Sequence, residues 1–430
     1  MNLYPRIRRL KCLINDKKYQ ALVCLLAMSL PVTAQKIATL AVTLNHPAAG
    51  LEVPVHVMLD PITALHDSAL SLVQLNGKDR IAVPFQVESN PQRKLTWIVN
   101  DATKNLKFEL IKKPAARQPP TIKAEKKDGG LILKAGNKNL LRYQFETMLP
   151  PAGVKEVFKR SAFIHPLWAP RGQVLTRIQP PDHYHHYGIW NPWTHVLFEG
   201  DTIDFWNLNA RTGTVRFANF ISVVNGNIFG QYAALHEHVS ISKSGEEKVA
   251  IREVQTVRVY APASDADYYI ADITVQMNCP GSPVRLLEYR YGGLGWRATE
   301  QWTKNNSQVL SSEGKSRKDA DGSKARWCIV EGLVDGENAG AVMMSHPANF
   351  NHPEPLRIWP ENANGNRGDM FANFSPTKDM DWPLEPGYNY VLRYRLIVFN
   401  GSFGKERAEA GWQDFALPPH VKVTLGKTPY

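Results

Sequence analysis

Cysteine is scarce in this chain of 430 residues: there are four, and only Cys279 and Cys328 lie beyond the first 34 positions. Neither belongs to a Cys-x-x-Cys pair, which excludes zinc-ribbon and dithiol redox motifs. An oxidising compartment permits a disulfide between them, and two unpaired buried thiols fit equally well. Long apolar runs are missing too. No stretch after residue 34 reaches the roughly 18 consecutive apolar residues that a spanning helix needs, so no membrane span is expected in the mature chain. Long helical periodicity is absent, and the best candidate, residues 405–415, is short. No internal repeat or low-complexity tract is present. Lys and Arg form no stripe interleaved with aromatics, which excludes a nucleic-acid partner.

What the N-terminus does have is an ordered pattern. Arg6, Arg8, Arg9, Lys11, Lys17 and Lys18 stand against Asp16 alone, the apolar run Ala21 to Leu30 follows, and Pro31-Val32-Thr33-Ala34 supplies small residues. That order reads as a signal peptide, residues 1–34, cleaved after Ala34. The run is too short to anchor the chain in a bilayer. The expected location is periplasmic or secreted. The whole chain carries a formal charge of +11, and removing those six cations and one aspartate leaves +6. A surplus of that size suits an anionic substrate, although charge alone fits an ordinary solvated surface better.

The strongest local patterns are strand-like. Residues 37–44, 81–87, 95–99, 251–260, 268–275 and 388–398 are rich in β-branched and aromatic side chains and bounded by Asn, Gly, Pro or Asp. Thirty prolines and 29 glycines supply many turns. The fold class is therefore all-β, built from sandwiches. Residues 113–129 are Pro-rich and then charged, with little to bury, and read as a linker. They divide a small β-sandwich module, residues 35–112, from a large β-sandwich, residues 130–430.

The densest chemistry lies in residues 181–195. Four of the thirteen histidines, His183, His185, His186 and His195, fall there with Asp182, Tyr184, Tyr187, Trp190 and Trp193. Histidine titrates nearest neutrality and serves as acid, base or metal ligand. Tryptophan and tyrosine offer flat apolar faces that suit sugar rings. On a strand, His183, His185 and Tyr187 would face one way and Asp182, Tyr184 and His186 the other. Two imidazoles at that spacing chelate a metal if a third ligand joins, and His236-Glu237-His238 repeats the spacing. No recognisable metal motif is present, so acid–base work is preferred to a bound divalent metal.

Asp182-His183-Tyr184-His185-His186-Tyr187-Gly188-Ile189-Trp190, followed by Asp204-Phe205-Trp206, resembles the signature of the PmoA-related domain family of exported bacterial proteins. Further matching blocks are Glu288–Arg297, Ser312–Lys315, Arg326-Trp327, His346–Phe350, His352–Arg357 and Pro386-Gly387, and the resemblance covers about residues 130–425. Tyr184 and Tyr187 stand where that family has Pro and Arg. The resemblance implies a large sandwich of the mutarotase and polysaccharide-lyase kind, with a role on carbohydrate. The methane oxidation suggested by the family name is rejected, because such subunits are membrane-embedded.

The expected function is an exported carbohydrate-active enzyme, a lyase or dehydratase using histidine acid–base chemistry, or a hydrolase. The alternative is a non-catalytic glycan-binding envelope protein. Proton abstraction beside a carboxylate needs a base and a cationic clamp. His183, His185, His186 and Tyr187 are the catalytic candidates. Asp182, Trp190, Arg297, Arg326, His346, His352 and Arg357 are the substrate-binding candidates, with arginine suited to gripping a carboxylate. Hydrolysis by two carboxylates competes, with Glu288, Glu313 and Glu354 as candidates. An enzyme predicts histidines converging on one deep cavity with arginine. A binding module predicts a shallow aromatic face.

Overall fold

The computed structural model describes residues 35–89, 92–100, 105–114, 119–263 and 265–426. The signal-peptide pattern lies outside them. The described residues are nearly all β and form five antiparallel sheets, as the strand patterns require. One sheet has eight strands, in the order Gly213–Val224, Phe229–Ile241, Glu247–Tyr260, Tyr268–Asn278, Tyr390–Asn400, Glu337–Ser345, Trp327–Val334 and Ser307–Ser311. A nine-stranded sheet runs Lys324–Ala325, Glu354–Ile358, Phe371–Phe374, Gly295–Arg297, Ile189–Trp190, Phe163–Leu167, Lys138–Gln144, Gly130–Ala135 and Ile122–Lys127. The two face each other across one apolar core that includes Leu133, Ile189, Trp296 and Leu356 from the second sheet and Val257, Ile273, Val330 and Val398 from the first.

Period-2 alternation then fixes the outer face of the nine-stranded sheet. Ile189, Trp296, Leu356 and Ala372 point into the inter-sheet core. Their neighbours Trp190 and Phe371 belong to a separate aromatic cluster with Tyr187, Trp206 and Trp359. The register pairs Ile189 with Trp296 and Arg297 with Phe371. Trp190, Arg297, Arg357 and Phe371 thus share the outward face of adjoining strands.

The far side of the eight-stranded sheet is covered by the helix Lys405–Ala416, whose Ala408, Ala410 and Phe415 pack with Trp327, Ile329, Met344 and Ile397. The expected short helix is there for that reason. Its amphipathic face closes an otherwise exposed apolar sheet.

The N-terminal module pairs a five-stranded sheet with a three-stranded one over its own core, which includes Leu40, Val55, Trp97 and Phe108. Two segments fall elsewhere than the sequence suggests. Residues 122–127, read as linker, form a strand paired with Gly130–Ala135, because Ile122 is fully buried in the large core despite its charged neighbours. The C-terminal strand His420–Leu425 returns to pair with Gln35–Thr43 in the small module instead of the large sandwich. Cys279 and Cys328 are buried free thiols, so the permitted disulfide does not form.

Candidate functional site

The histidine block is a turn, and that changes its geometry. Residues 181–186 form no strand, and the chain rejoins the sheet at Ile189. His186 N donates to His183 O at 3.0 Å, closing a tight turn. Gly188 ends it at φ 57°, where a Cβ would lie 2.2 Å from Ile164 O, so only glycine fits. The expected alternation, with His186 behind its neighbours, does not occur. All three rings meet: centroids are 4.7 Å apart for His183 and His186, 5.3 Å for His183 and His185, and 4.9 Å for His185 and His186.

These rings line a cavity of about 430 Å³. Its wall continues through Trp206, Asn207, Arg290, Tyr291, Arg357, Trp359, Asn364 and Phe371. Trp359 packs 4.9 Å from the His183 ring and 5.6 Å from His186. Phe371 stacks on His186 at 5.3 Å, and Trp190 lies beneath it at 5.2 Å. Asn207 Nδ2 donates to the Tyr291 hydroxyl at 3.0 Å.

Electrostatics at the triad are ordered by burial. His186 is 3% exposed, and desolvation, with help from the neighbouring His185 and Arg297, keeps its imidazole neutral far below the usual range. Burial pushes His185 down to about 3, with His183 and Arg160 adding to the effect. Both rings therefore present a lone pair at neutral pH. Asp182 behaves oppositely. Burial raises its carboxyl, but hydrogen bonding to His183 and the Arg297 charge outweigh that and hold it ionised well below the usual range. An ionised carboxylate only accepts, so His183 Nδ1 donates to Asp182 Oδ2 at 2.8 Å and Nε2 is left facing away.

Asp182 is itself fixed. Its Oδ2 lies 2.8 Å from Arg297 Nη2 and accepts from Asn364 Nδ2 at 2.8 Å. Arg297 also contacts Asp369 Oδ2 at 3.3 Å, and its guanidinium sits 4.6 Å from the Trp359 ring. Asn364 occupies a left-handed turn, φ 50°, beside Gly365, and donates to Asp369 Oδ2 at 2.6 Å. Among the described residues, His183, His185 and His186 form the group able to hold a metal, one nitrogen from each and all within 4.8 Å of one another.

The candidates sort as follows. His183, His185, His186 and Arg357 line the cavity. Asp182 and Arg297 stand directly behind the histidines as an ion pair, so Arg297 holds Asp182 and is not placed as a substrate clamp. Trp190 is fully buried beneath the site. Tyr187 is not at the cavity: its ring packs 5.1 Å from Phe163, its hydroxyl donates to Phe158 O, and burial pushes it up to about 12. Arg326 is engaged with Glu409 at 2.6 Å and with the Trp412 ring at 4.7 Å, on the helix side of the molecule. His352 stacks on Trp412 at 6.3 Å. His346 lines a separate cavity of about 290 Å³ with Arg393 and Asp414. Both histidines lie in the connection from Glu337–Ser345 to Glu354–Ile358, which crosses between the two sheets. Only its far end, Arg357, reaches the site.

His236 and His238 do not join the triad. Alternation along Phe229–Ile241 turns both into the core, where Glu253 bonds them at 3.0 and 2.9 Å. Arg290, Tyr291, Trp359 and Asn364 were not foreseen. Arg290 and Tyr291 lie inside the matching block Glu288–Arg297, and Trp359 lies two residues beyond the block His352–Arg357.

Residues 131–413 match a family of unknown function, DUF6807. No curated protein matches. Among solved structures, the chain is similar to a protein in the glycosyl hydrolase family 38 from Enterococcus faecalis, at 9% identity and a TM-score of 0.38, over 93% of this chain and 49% of the other. The chain thus spans about half the length of that protein.

Proposed function

This chain belongs to DUF6807, and we propose that it is an exported enzyme that cleaves or dehydrates an acidic carbohydrate by elimination at the His183, His185, His186 cavity. One observation carries the reading: three imidazoles converge in a cavity of about 430 Å³ walled by tryptophan and arginine, with no Asp or Glu among its lining residues. Two-carboxylate hydrolysis needs a facing acid pair. Glu288 is exposed, Glu313 lies by Arg326, and Glu354 is fully buried against Ser345, Asn349 and Tyr394. Elimination needs a base and a cationic clamp instead, and the histidines and arginines of the lining support that reading.

Trp206 and Trp359 offer faces for sugar rings. Arg357, whose Nη1 is held by Asp321 at 2.7 Å and whose Nε has no protein partner, and Arg290 both line the cavity. Together they would hold a carboxylate and the negative charge that develops beside it. A base at the trihistidine point takes the proton from the carbon next to the carboxylate. The C–H electron pair forms the double bond as the β carbon–oxygen bond breaks. Tyr291, kept protonated because burial pushes it up to about 12, gives its proton to the leaving oxygen. The products are an unsaturated acidic sugar and an alcohol or water. The N-terminal pattern supports export.

A panel of acidic and neutral oligosaccharides, followed by absorbance of the unsaturated product and by reducing ends, tests it. A rise in both signals with acidic glycans is expected, abolished in His185→Ala. Reducing ends without unsaturated product would make the enzyme a hydrolase. Glycan binding without any product in the wild type would favour the binding module.

A further inference from the structure

We infer that His183, His185 and His186 are the ligand set for one divalent transition-metal ion of the zinc class, which the reaction at this cavity uses. The inference rests on that cavity being the reacting site, but not on which sugar enters it. Imidazole nitrogen suits zinc and its neighbours and does not suit calcium or magnesium, which take oxygen. Three histidines with one position open to solvent are the pattern of a catalytic zinc site, whereas a structural site is closed by four protein ligands. Here the fourth direction is the cavity itself.

The geometry is close to what an ion needs. The candidate nitrogens lie within 4.8 Å of one another. Zinc–nitrogen bonds of about 2.0–2.1 Å in a tetrahedron bring nitrogens to roughly 3.3 Å apart, so side-chain rotations of an ångström or so complete the site. A ligating histidine commonly donates its other nitrogen to a carboxylate, which fixes the tautomer. Asp182 does this to His183, leaving Nε2 for a metal, and Arg297 and Asn364 lock Asp182 in turn. His186 Nδ1 is a buried nitrogen with no partner, which a fully satisfied structural histidine would not leave. An ion held there would engage the imidazole lone pairs and lower the pKa of a bound water, so that hydroxide rather than imidazole would supply the base.

The test uses the full purified chain, stripped with a chelator and titrated with Zn²⁺ by calorimetry, with elemental analysis of the reloaded protein. One ion per chain is expected. His185→Ala and His183→Ala, both at partly exposed positions, should lower affinity at least about 100-fold, and Asp182→Asn about 10–100-fold, with circular dichroism unchanged. Cobalt loading should give the visible bands of a four- or five-coordinate ion, lost in His185→Ala. Failure to take up zinc in the intact chain, or uptake unaffected by His185→Ala, would overturn the assignment. Full turnover of an acidic glycan by the stripped chain would also overturn it while leaving the proposed function standing. Stoichiometric zinc with no turnover of any glycan supports the metal and counts against the elimination reading alone.

Discussion

Asp182 Oδ2 and Arg297 Nη2 meet at 2.8 Å, across the boundary between an irregular turn and a regular strand. Arg297 is 1% exposed, and burial lowers its guanidinium to about 10 against the opposing pull of Asp182. The strand therefore presents a fixed charge, and the turn that carries the histidines is fastened to it. Arg297→Met would leave Asp182 and Asp369 without their shared cation. Asp369 keeps Arg367 and Asp182 is part-exposed, so the expected loss in chemical denaturation is about 1.5–3 kcal/mol, the range of a hydrogen bond to a charged group and below the cost of breaking a fully buried pair. A change below about 1 kcal/mol would mean that solvent already satisfies both carboxylates. Asp182→Asn keeps the shape and should act mainly on function.

Tyr291 is the group assigned to protonate the leaving oxygen. Its hydroxyl is held by Asn207 at 3.0 and 3.2 Å, so Tyr291→Phe removes one oxygen from an otherwise packed ring. Loss of a general acid lowers kcat by about 10²–10⁴-fold, with KM little changed. The drop should shrink for a substrate with an activated leaving group, which needs less protonation. An equal loss for both kinds of substrate would make Tyr291 a positioning residue.

Much of the architecture is legible in the sequence, and the reasons are local. Alternation in 251–260 and 388–398 survives because each strand buries one face on the shared core, as Val257 and Val398 do. The run 81–87 divides at Pro84, which cannot donate to a sheet ladder. The site is legible in composition but not in shape. His183, His185 and His186 were visible as residues, while their convergence depends on a turn whose Gly188 abuts Ile164 O. Arg326, His346 and Arg357 look equivalent along the chain. Only the crossing between sheets, a tertiary feature, sends Arg357 to the cavity and leaves the other two on the helix side. Trp359 escaped notice because a tryptophan beside a proline carries no pattern of its own.

Arg357 gives the sharpest measure of substrate charge. Its Nη1 donates to Asp321 Oδ2 at 2.7 Å, which holds the side chain in place. A hydrogen bond to a charged group contributes about 1.5–3 kcal/mol, so Arg357→Gln should reduce kcat/KM for an acidic oligosaccharide by roughly 10–150-fold. A neutral analogue should lose little. Equal losses on both would show that Arg357 shapes the wall without reading charge.

Glu354 makes the stability of this fold depend on pH. It is fully buried beside the sheet crossing, and burial pushes its carboxyl up to about 7, against the hydrogen bonds from Ser345, Asn349 and Tyr394 that favour the charged form. Its ordinary value is near 4.5. Between those two pH values the folded chain holds a proton that the unfolded chain has released. The stabilisation is then complete below about 4.5, fades as pH rises, and is lost above about 7. A displacement of this size corresponds to something on the order of 3 kcal/mol across the window. Asp414, raised to about 6 by burial, tilts the profile the same way, so the comparison must be with Glu354→Gln, which keeps the shape and removes the proton. Denaturant unfolding of both proteins from pH 5 to pH 8 should show the wild type losing stability relative to the variant as pH increases. A constant difference across that range would mean that Glu354 does not change its protonation on unfolding.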